Sequence, residues 1–410
     1  MKILFLNDDF PPFGWSSPGI LTYNLARKLK ELGHEIYILT TSQDKNFQEK
    51  EIIDGLNYYR VYSNYNIRWR DYLNLYNFQI AKKLNEIFEE IKPEVTHLHI
   101  IHLYLSYYSI FLAKKYSQKV FLTAHDYQLF SYNKLEIKHL NNKYTFFDGL
   151  KQAKKRFNPF RNIIIRHYIK KLKRIFVLSQ AQKKIFELNN INNLEVLPNA
   201  IDLADWQIAR SDIENFKQKY NLTDKKIIFF GGRLSLEKGL GQIIKSFEAI
   251  RAKLGFKTQF SSDCVLFIAG EINNLIDECL DKINQSASKN VIIAGWLDRQ
   301  MLKTAIASSD LVVTPSIYPD PFNMLNLEAM ACKKPVIGTC FGGTPEIVKD
   351  GETGFIVNPF EVELMAERVI ELLQDENKAK EFGENGYQRA KERFSLDHHV
   401  EKLLNYYKVI

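Results

Sequence analysis

The chain has 410 residues, 45% of them hydrophobic and 25% charged, with four cysteines and a net charge of +8. That length predicts two domains, because single cores rarely grow beyond about 250 residues, and the ordinary composition excludes a disordered or collagen-like chain. No run approaches the roughly 18 apolar residues of a membrane span, and the start MKILFLNDDF turns acidic early, so a soluble, unsecreted, cytoplasmic protein is expected.

In chain order, the first half alternates short β-rich runs with amphipathic stretches. These are KILFLN (2–7), a helix over 18–33, EIYILT (35–40), a helix over 71–91, EVTHLHI (94–100), a helix over 104–117, KVFLTAH (119–125), RIFVLS (174–179) and LEVLPN (194–199). The second half restarts the rhythm with KIIFFGGRL, CVLFIAGE, NVIIAGW, DLVVTPS, KPVIGTC and TGFIVNP. Strand alternating with helix means a parallel sheet covered on both faces, so the fold class is α/β with two doubly wound domains. The polar stretch after Ala200 loses the rhythm and sets the boundary near residue 203, giving domains 1–202 and 203–394.

Cys264, Cys279, Cys332 and Cys340 show no paired spacing, which predicts buried free thiols. The charge is uneven. Ten Lys or Arg residues and no acid lie between Gly149 and Arg174, and subtracting these ten from +8 leaves −2. Interleaved with Ile163, Ile164, Ile165, Tyr168, Ile169 and Leu172, the segment reads either as an amphipathic helix on an anionic membrane surface or as a solvated helix face. No nucleic-acid recognition motif accompanies it, so nucleic acid is not expected as a partner.

Ligands of doubly wound sheets bind at the carboxyl ends of the strands, so residues just after each strand carry the functional signal. After KIIFF come Gly231, Gly232 and Arg233, then Lys238 and Gly239, two cations and permissive backbone suited to a diphosphate. After DLVVTPS comes a proline-punctuated loop with Asp320, then a helix opening around Asn323 with Glu328 on it. Backbone N–H groups at a helix start favour an anion, while the acids suit hydroxyl groups; a nucleotide sugar offers both. His97, His99 and His102 lack a partnering acid or cysteine at ligand spacing, so no metal site is expected. Ser179 reads as a helix N-cap, and Gly342, Gly343 and Glu346 as a loop and cap. No hydrolase elbow, zinc-protease or P-loop motif is present.

With Pro315, Ser316, Pro321, Phe322, Ala329 and Met330 around it, the Asp320 and Glu328 pair resembles the paired-acid motif of the retaining family-4 glycosyltransferases of GT-B fold. PPFGWSSPG, LAxxLxxxGHEI, TAHD, VLPNAID, GRLxxEKG, GGTPEIV and DGETGFIV extend the resemblance over most of the chain. It implies two Rossmann-like domains facing across a cleft, an acceptor in the first and a nucleotide-diphosphate sugar in the second. The last helix, about 395–410, would pack back on the first. It implies that Glu328 holds the ribose hydroxyls, that Arg233 and Lys238 clamp the diphosphate, and that Asp320 and His125 approach the sugar. Gly14, Gly19, Asn199, Gly232, Phe322, Asn323, Met324 and Leu325 are the further substrate-binding candidates. Asp320 stands where the family has Glu, and Asn323 where it has Gly, a position at which Asn tolerates positive φ.

No Asp-x-Asp follows a strand to hold a metal-bound diphosphate, and Arg233 and Lys238 can take over that charge, so a metal-independent enzyme without cofactor is expected. It would move a sugar to a glycan or lipid-linked hydroxyl in cell-surface polysaccharide or glycolipid synthesis. A GT-B nucleotide-sugar epimerase and a non-catalytic sugar-nucleotide-binding protein are the alternatives.

Overall fold

The computed structural model describes residues 1–254, 264–271 and 289–409. The chain divides into two compact units, Met1–Ala200 with Leu396–Ile410, and Ile201–Ser395.

The first unit is built on an eight-stranded sheet of β1 (Lys2–Leu6), β2 (Glu35–Ser42), β3 (Lys50–Ile53), β4 (Leu56–Tyr62), β5 (Val95–Leu98), β6 (Lys119–Ala124), β7 (Arg174–Val177) and β8 (Leu194–Val196). Its order is β3-β4-β2-β1-β5-β6-β7-β8, and every pairing except β3 with β4 is parallel. Successive side chains point to opposite faces. Leu4 and Leu6 therefore pack under the helices Ala81–Ile91, Tyr108–Tyr116 and Arg161–Ile169, while Ile3 and Phe5 pack under Ser17–Glu31 and Leu396–Val409. That last helix completes the second face: the Tyr407 ring lies 5.3 Å from Phe121 and the Tyr406 ring 5.2 Å from Phe176. Lys28 pairs with Asp397 at 2.6 Å, and the Lys119 ammonium donates to the Tyr407 and Lys408 carbonyls that close the helix.

The hairpin β3–β4 is an addition to the elements expected from sequence. Asp54 and Gly55 both take positive φ, 50° and 73°, the geometry of a tight hairpin turn. The helix expected over 71–91 is interrupted, with Arg70–Leu73 and Ala81–Ile91 helical. Between them the buried Asn77 amide donates to Ser63 Oγ and the Tyr104 carbonyl, both at 2.7 Å, and its oxygen accepts from Gln79 N. Such local side-chain bonds compete with helix continuation.

The basic segment is not one amphipathic helix. It comprises Phe146–Ala153, a 3-10 turn Lys154–Arg156, and Arg161–Ile169. Ile165, Ile169 and Leu172 are core residues, and Arg161 is fully buried beside Asp71, with Nη2 donating to the Gln128 carbonyl at 2.6 Å.

The second unit holds a six-stranded parallel sheet, β9 (Lys226–Gly231), β10 (Cys264–Ala269), β11 (Val291–Gly295), β12 (Leu311–Thr314), β13 (Val336–Thr339) and β14 (Gly354–Val357), in the order β11-β10-β9-β12-β13-β14. Helices Leu240–Leu254 and Val362–Gln374 cover one face through Ile243, Ile244, Phe247, Met365, Val369 and Leu372. The expectation of buried thiols holds for Cys264, but Cys332 is half-buried and Cys340, in the loop after β13, is exposed. Cys279 lies outside the described residues. Burial pushes the Cys264 and Cys332 thiols up to about 12.

Candidate active site

Both sheets reverse strand order beside their first strand, and crevices form where loops diverge at such a point. In the second unit the reversal lies between β9 and β12. The loop leaving β9 carries Arg233 and Lys238; the loop leaving β12 carries Asp320.

The two loops are held together by backbone. Ile317 N donates to the Glu237 carbonyl at 2.8 Å, and at Gly239 (φ 86°) any Cβ would stand 2.0 Å from the Pro315 carbonyl oxygen, so only glycine permits the approach. The loop after β13 joins them. Gly343 N donates to the Asp320 carbonyl at 2.8 Å, and a Cβ on Gly342 (φ 66°) would stand 2.2 Å from that same oxygen. Gly342 and Gly343 are thus more than a loop and cap, because they fix the Asp320 backbone.

Within this frame the Lys238 ammonium meets the Asp320 carboxylate at 2.5 Å, with side-chain exposures of 23% and 7%. Lys238 also lies 5.5 Å from the centre of the Tyr318 ring. The two cations expected to act alike are therefore unequal. Lys238 is tied to an acid, whereas Arg233 is exposed and makes no hydrogen bond or ion pair with the described residues. Gly232, between β9 and Arg233, has φ 110°.

The helix Met324–Ala331 starts at Asn323, whose side-chain oxygen accepts from Leu325 N at 3.3 Å. Asn323 has φ −79°, so the positive φ anticipated at this position is not adopted; the residue is an N-cap in extended conformation. Phe322 and Leu325 are buried, with the Phe322 ring 5.8 Å from Phe394, and Met324 is half-buried. Asn326 fixes the helix internally, bonding Thr314 Oγ1 at 2.6 Å and Thr344 Oγ1 at 3.3 Å.

Glu328, on the second turn, is half-buried, and its carboxylate makes no hydrogen bond or ion pair with the described residues. Burial pushes its carboxyl above the usual range, and the charges of Arg299 and Lys303 work against that rise. Those cations stand at i, i+4 on Arg299–Ser308, share Asp205 at 3.7 and 3.6 Å, and each lie 5.7 Å from the Trp206 ring. Sequence reasoning passed over them; their spacing on one helix face is the signal that could have found them.

In the first unit the reversal lies between β1 and β5. The Asp8 carboxylate spans it, accepting from Leu103 N at 2.7 Å and from Tyr104 N and Leu105 N at 2.8 and 2.7 Å. Asp8 was not singled out from sequence, although an acid directly after the first strand is the kind of position that carries function. Burial outweighs the three N–H groups and raises its carboxyl to about 7. Asp8→Asn would turn an NH2 toward backbone donors. It is expected to cost about 1–3 kcal/mol, seen as a thermal midpoint several degrees lower.

Gly14 and Gly19 wrap Asp9. A Cβ on Gly14 would collide with the Asp9 carboxylate, and one on Gly19 would stand 2.5 Å from its carbonyl oxygen. Ser16 caps the following helix through Gly19 N, and Ser16 N donates to Asp9 Oδ2 at 2.8 Å. Ser179 is an N-cap, accepting from Gln182 N. Asn199 is buried just after Pro198, whose carbonyl accepts from His399 Nδ1 at 2.9 Å.

His125 follows β6 and His99 follows β5. Their rings hydrogen-bond through His99 Nδ1 and His125 Nε2 at 2.9 Å, so one donates and the other accepts. His99, His102, Tyr107, Thr123, His125 and Asp126 help line a small cavity. His97 turns elsewhere, bonding Tyr407 Oη at 2.6 Å and Thr123 Oγ1 at 2.8 Å, and His102 Nε2 stands 3.4 Å from Asp126. Among the described residues no three His, Cys, Asp or Glu side chains are grouped to hold a metal ion.

Burial pushes His102, His125 and His399 down to about 4, and His97 and His99 well below the ordinary range. These rings are neutral when folded and take up protons when unfolded. Their contribution to stability is present above pH 6.5 and is lost as the pH falls toward 4. Asp8, with its raised value, contributes in the opposite sense across roughly the same window, but it is one group against five. The thermal midpoint of this unit is expected to fall by about 10 °C or more between pH 7 and pH 4.5. The ring-proton resonances of His99 and His125 should stay unshifted from pH 8 to 5.5, and titration near 6.5 would refute the assignment.

Two doubly wound units, each with chemistry-bearing loops at its strand reversal, define a GT-B architecture, and family comparison agrees. Residues 19–205 match the Glycosyltransferase Family 4 model and residues 212–389 the model for Glycosyl transferases group 1, so the chain belongs to the family-4 glycosyltransferases. An uncharacterized glycosyltransferase of Methanocaldococcus jannaschii is 25% identical over 416 residues, covering 100% of this chain and 98% of that protein. Two other relatives, an alpha-D-kanosaminyltransferase of Streptomyces kanamyceticus and an alpha-maltose-1-phosphate synthase of Mycolicibacterium smegmatis, each 28% identical, align over 51% and 57% of their length. Sucrose-phosphate synthase of Thermosynechococcus elongatus superposes with a TM-score of 0.76 at 16% identity over 100% of this chain and 99% of that one. Anabaena HepE in complex with UDP-glucose superposes with a TM-score of 0.69, also at 16% identity, over the whole of both chains. No described helix is long and apolar enough to cross a membrane.

Proposed function

We propose that this glycosyltransferase moves a sugar from a nucleotide-diphosphate sugar to a hydroxyl of a glycan or lipid-linked acceptor, with retention of anomeric configuration and without a metal ion. The observation that carries the reading is the set of groups on the elements leaving β9 and β12: a lysine held by a buried aspartate, and a second cation and a half-buried carboxylate that have no hydrogen-bond or ion-pair partner among the described residues. A carboxylate in that state accepts two hydroxyl hydrogen bonds, which suits the ribose of a nucleotide. Lys238 and Arg233 would offset the charge that develops on the departing diphosphate. A protein of the same fold holds UDP-glucose, which supports this donor class.

In the reaction the bond between the anomeric carbon and the diphosphate oxygen breaks, and the acceptor oxygen bonds that carbon from the same face. The acceptor proton passes to the leaving diphosphate, so no protein nucleophile is consumed. Asp320 would serve both as the anchor of Lys238 and as a contact to the sugar. The test is a panel of UDP-, GDP- and ADP-sugars incubated with and without glycan and lipid acceptors in the presence of a chelator. Acceptor-dependent nucleotide release is expected. An isomerised nucleotide sugar formed without acceptor, or binding without turnover, would overturn the reading.

A further inference from the structure

Exposed aromatic and aliphatic side chains concentrate on one part of the first unit. Trp69, Phe146, Phe147, Leu150, Phe160 and Ile163 are each at least 45% exposed, with Phe147 at 77%. Contacts join Trp69, Phe146 and Phe147 into one surface. The Trp69 ring lies 6.1 Å from Tyr72, and Tyr72 Oη donates to the Phe157 carbonyl at 2.9 Å. The Phe157 ring lies 4.9 Å from Phe146, itself 6.0 Å from Phe147. Phe160 and Ile163 follow at i, i+3 at the start of Arg161–Ile169.

The charge on this face has one sign. Arg68, Lys151, Lys154 and Lys155 are exposed on the same segments. The bordering acids are already neutralised. Asp148 is engaged by Thr145 and Lys138, Glu136 pairs with Lys138 and Lys151, and Asp71 is buried against Arg156 and Arg161. The cations that a simple count of the segment includes but that serve the fold instead are Arg161, Arg166 and Arg174, bonded to Gln128, Asn189 and Asn193.

We propose that this face docks the protein on an anionic lipid leaflet, with Phe146, Phe147, Phe160 and Ile163 entering the headgroup boundary and Lys154 and Lys155 meeting the lipid charge. Large apolar side chains interspersed with uncompensated lysines match an interface that is apolar below and negative above. An acidic protein surface would answer the lysines but would leave four protruding apolar side chains without a common depth to enter. The surface differs from the amphipathic helix suggested by the sequence. It is assembled from two helix starts and the Ile67–Trp69 turn, and the middle of the basic segment serves the core.

The test is co-sedimentation of the full chain with vesicles of phosphatidylcholine alone or mixed with phosphatidylglycerol. Binding only to the anionic vesicles, weakened by added salt, is expected. Lys154→Glu with Lys155→Glu should weaken it by about thirtyfold or more, and Phe147→Ser with Phe160→Ser by at least about tenfold. All four residues are exposed, so melting points should match the parent, and nucleotide release with a soluble acceptor should be unchanged, which keeps this outcome separate from the fate of the donor reading. No binding to anionic vesicles, equal binding to neutral ones, retention on an acidic peptide column alone, or indifference to both double variants would overturn the proposal.

Discussion

Lys238→Ala is expected to lower the rate of sugar transfer by about two to three orders of magnitude, the scale seen when one preorganised charge-stabilising group is removed from a water-poor site. The loss should fall mainly on kcat, because the charge that Lys238 offsets grows as the diphosphate departs. The substitution also strands Asp320, whose side chain is only 7% exposed. Breaking such a pair costs about 3–5 kcal/mol when both partners are deeply buried, and about 1–3 kcal/mol is expected here because Lys238 is partly solvated. Lys238→Ala with Asp320→Ala separates the two effects. The double variant should recover most of the stability and none of the rate. Lys238→Arg should remain impaired, since a planar guanidinium does not reproduce a point charge at 2.5 Å from that carboxylate. Normal kcat in Lys238→Ala would remove the pair from the reaction.

Glu328→Ala is expected to weaken use of the donor about a hundredfold, appearing in kcat/KM, since hydrogen bonds to a charged group contribute about 1.5–3 kcal/mol each. Stability should hardly change, because the carboxylate has no partner among the described residues to lose. Acidity provides a second readout. Burial raises the Glu328 carboxyl above its usual 4.5, so the group becomes protonated, and the donor KM rises, at a less acidic pH than for an ordinary glutamate. Glu328→Gln should be impaired at every pH and lack that inflection. A donor KM that is unaltered by Glu328→Ala, or that keeps the same pH profile in Glu328→Gln, would release Glu328 from the nucleotide.

The strand runs of both units were legible because parallel strands covered on two faces are near-continuous apolar segments, as in KIIFFG and CVLFIA. Arg233, Lys238, Asp320 and Glu328 could be named from sequence because a doubly wound sheet presents its carboxyl ends to ligand, whereas Asp8, Arg299 and Lys303 were passed over because only the folded chain shows what surrounds them. The hairpin β3–β4 was marked by Asp54-Gly55 but was hidden among polar residues that suggested a loop. The break in the helix over 71–91 was not readable, because Asn77 ends it through bonds to Ser63 and Tyr104, both distant in sequence.

The sequence by itself determined the fold class, the family, and the residues that stand at the strand ends, because local apolar period and motif spacing are properties of the chain alone. Tertiary structure decided how those residues are committed. It joined Lys238 to Asp320 across 82 positions and left Arg233 and Glu328 without a hydrogen-bond or ion-pair partner among the described residues. It lowered the acidity range of five histidines, burying His97, His99 and His102 and half-burying His125 and His399, and it divided the basic segment between core and surface. The physical reason is that pairing, burial and shifted acidity depend on distance and solvation, which are fixed only when loops from separate strands converge.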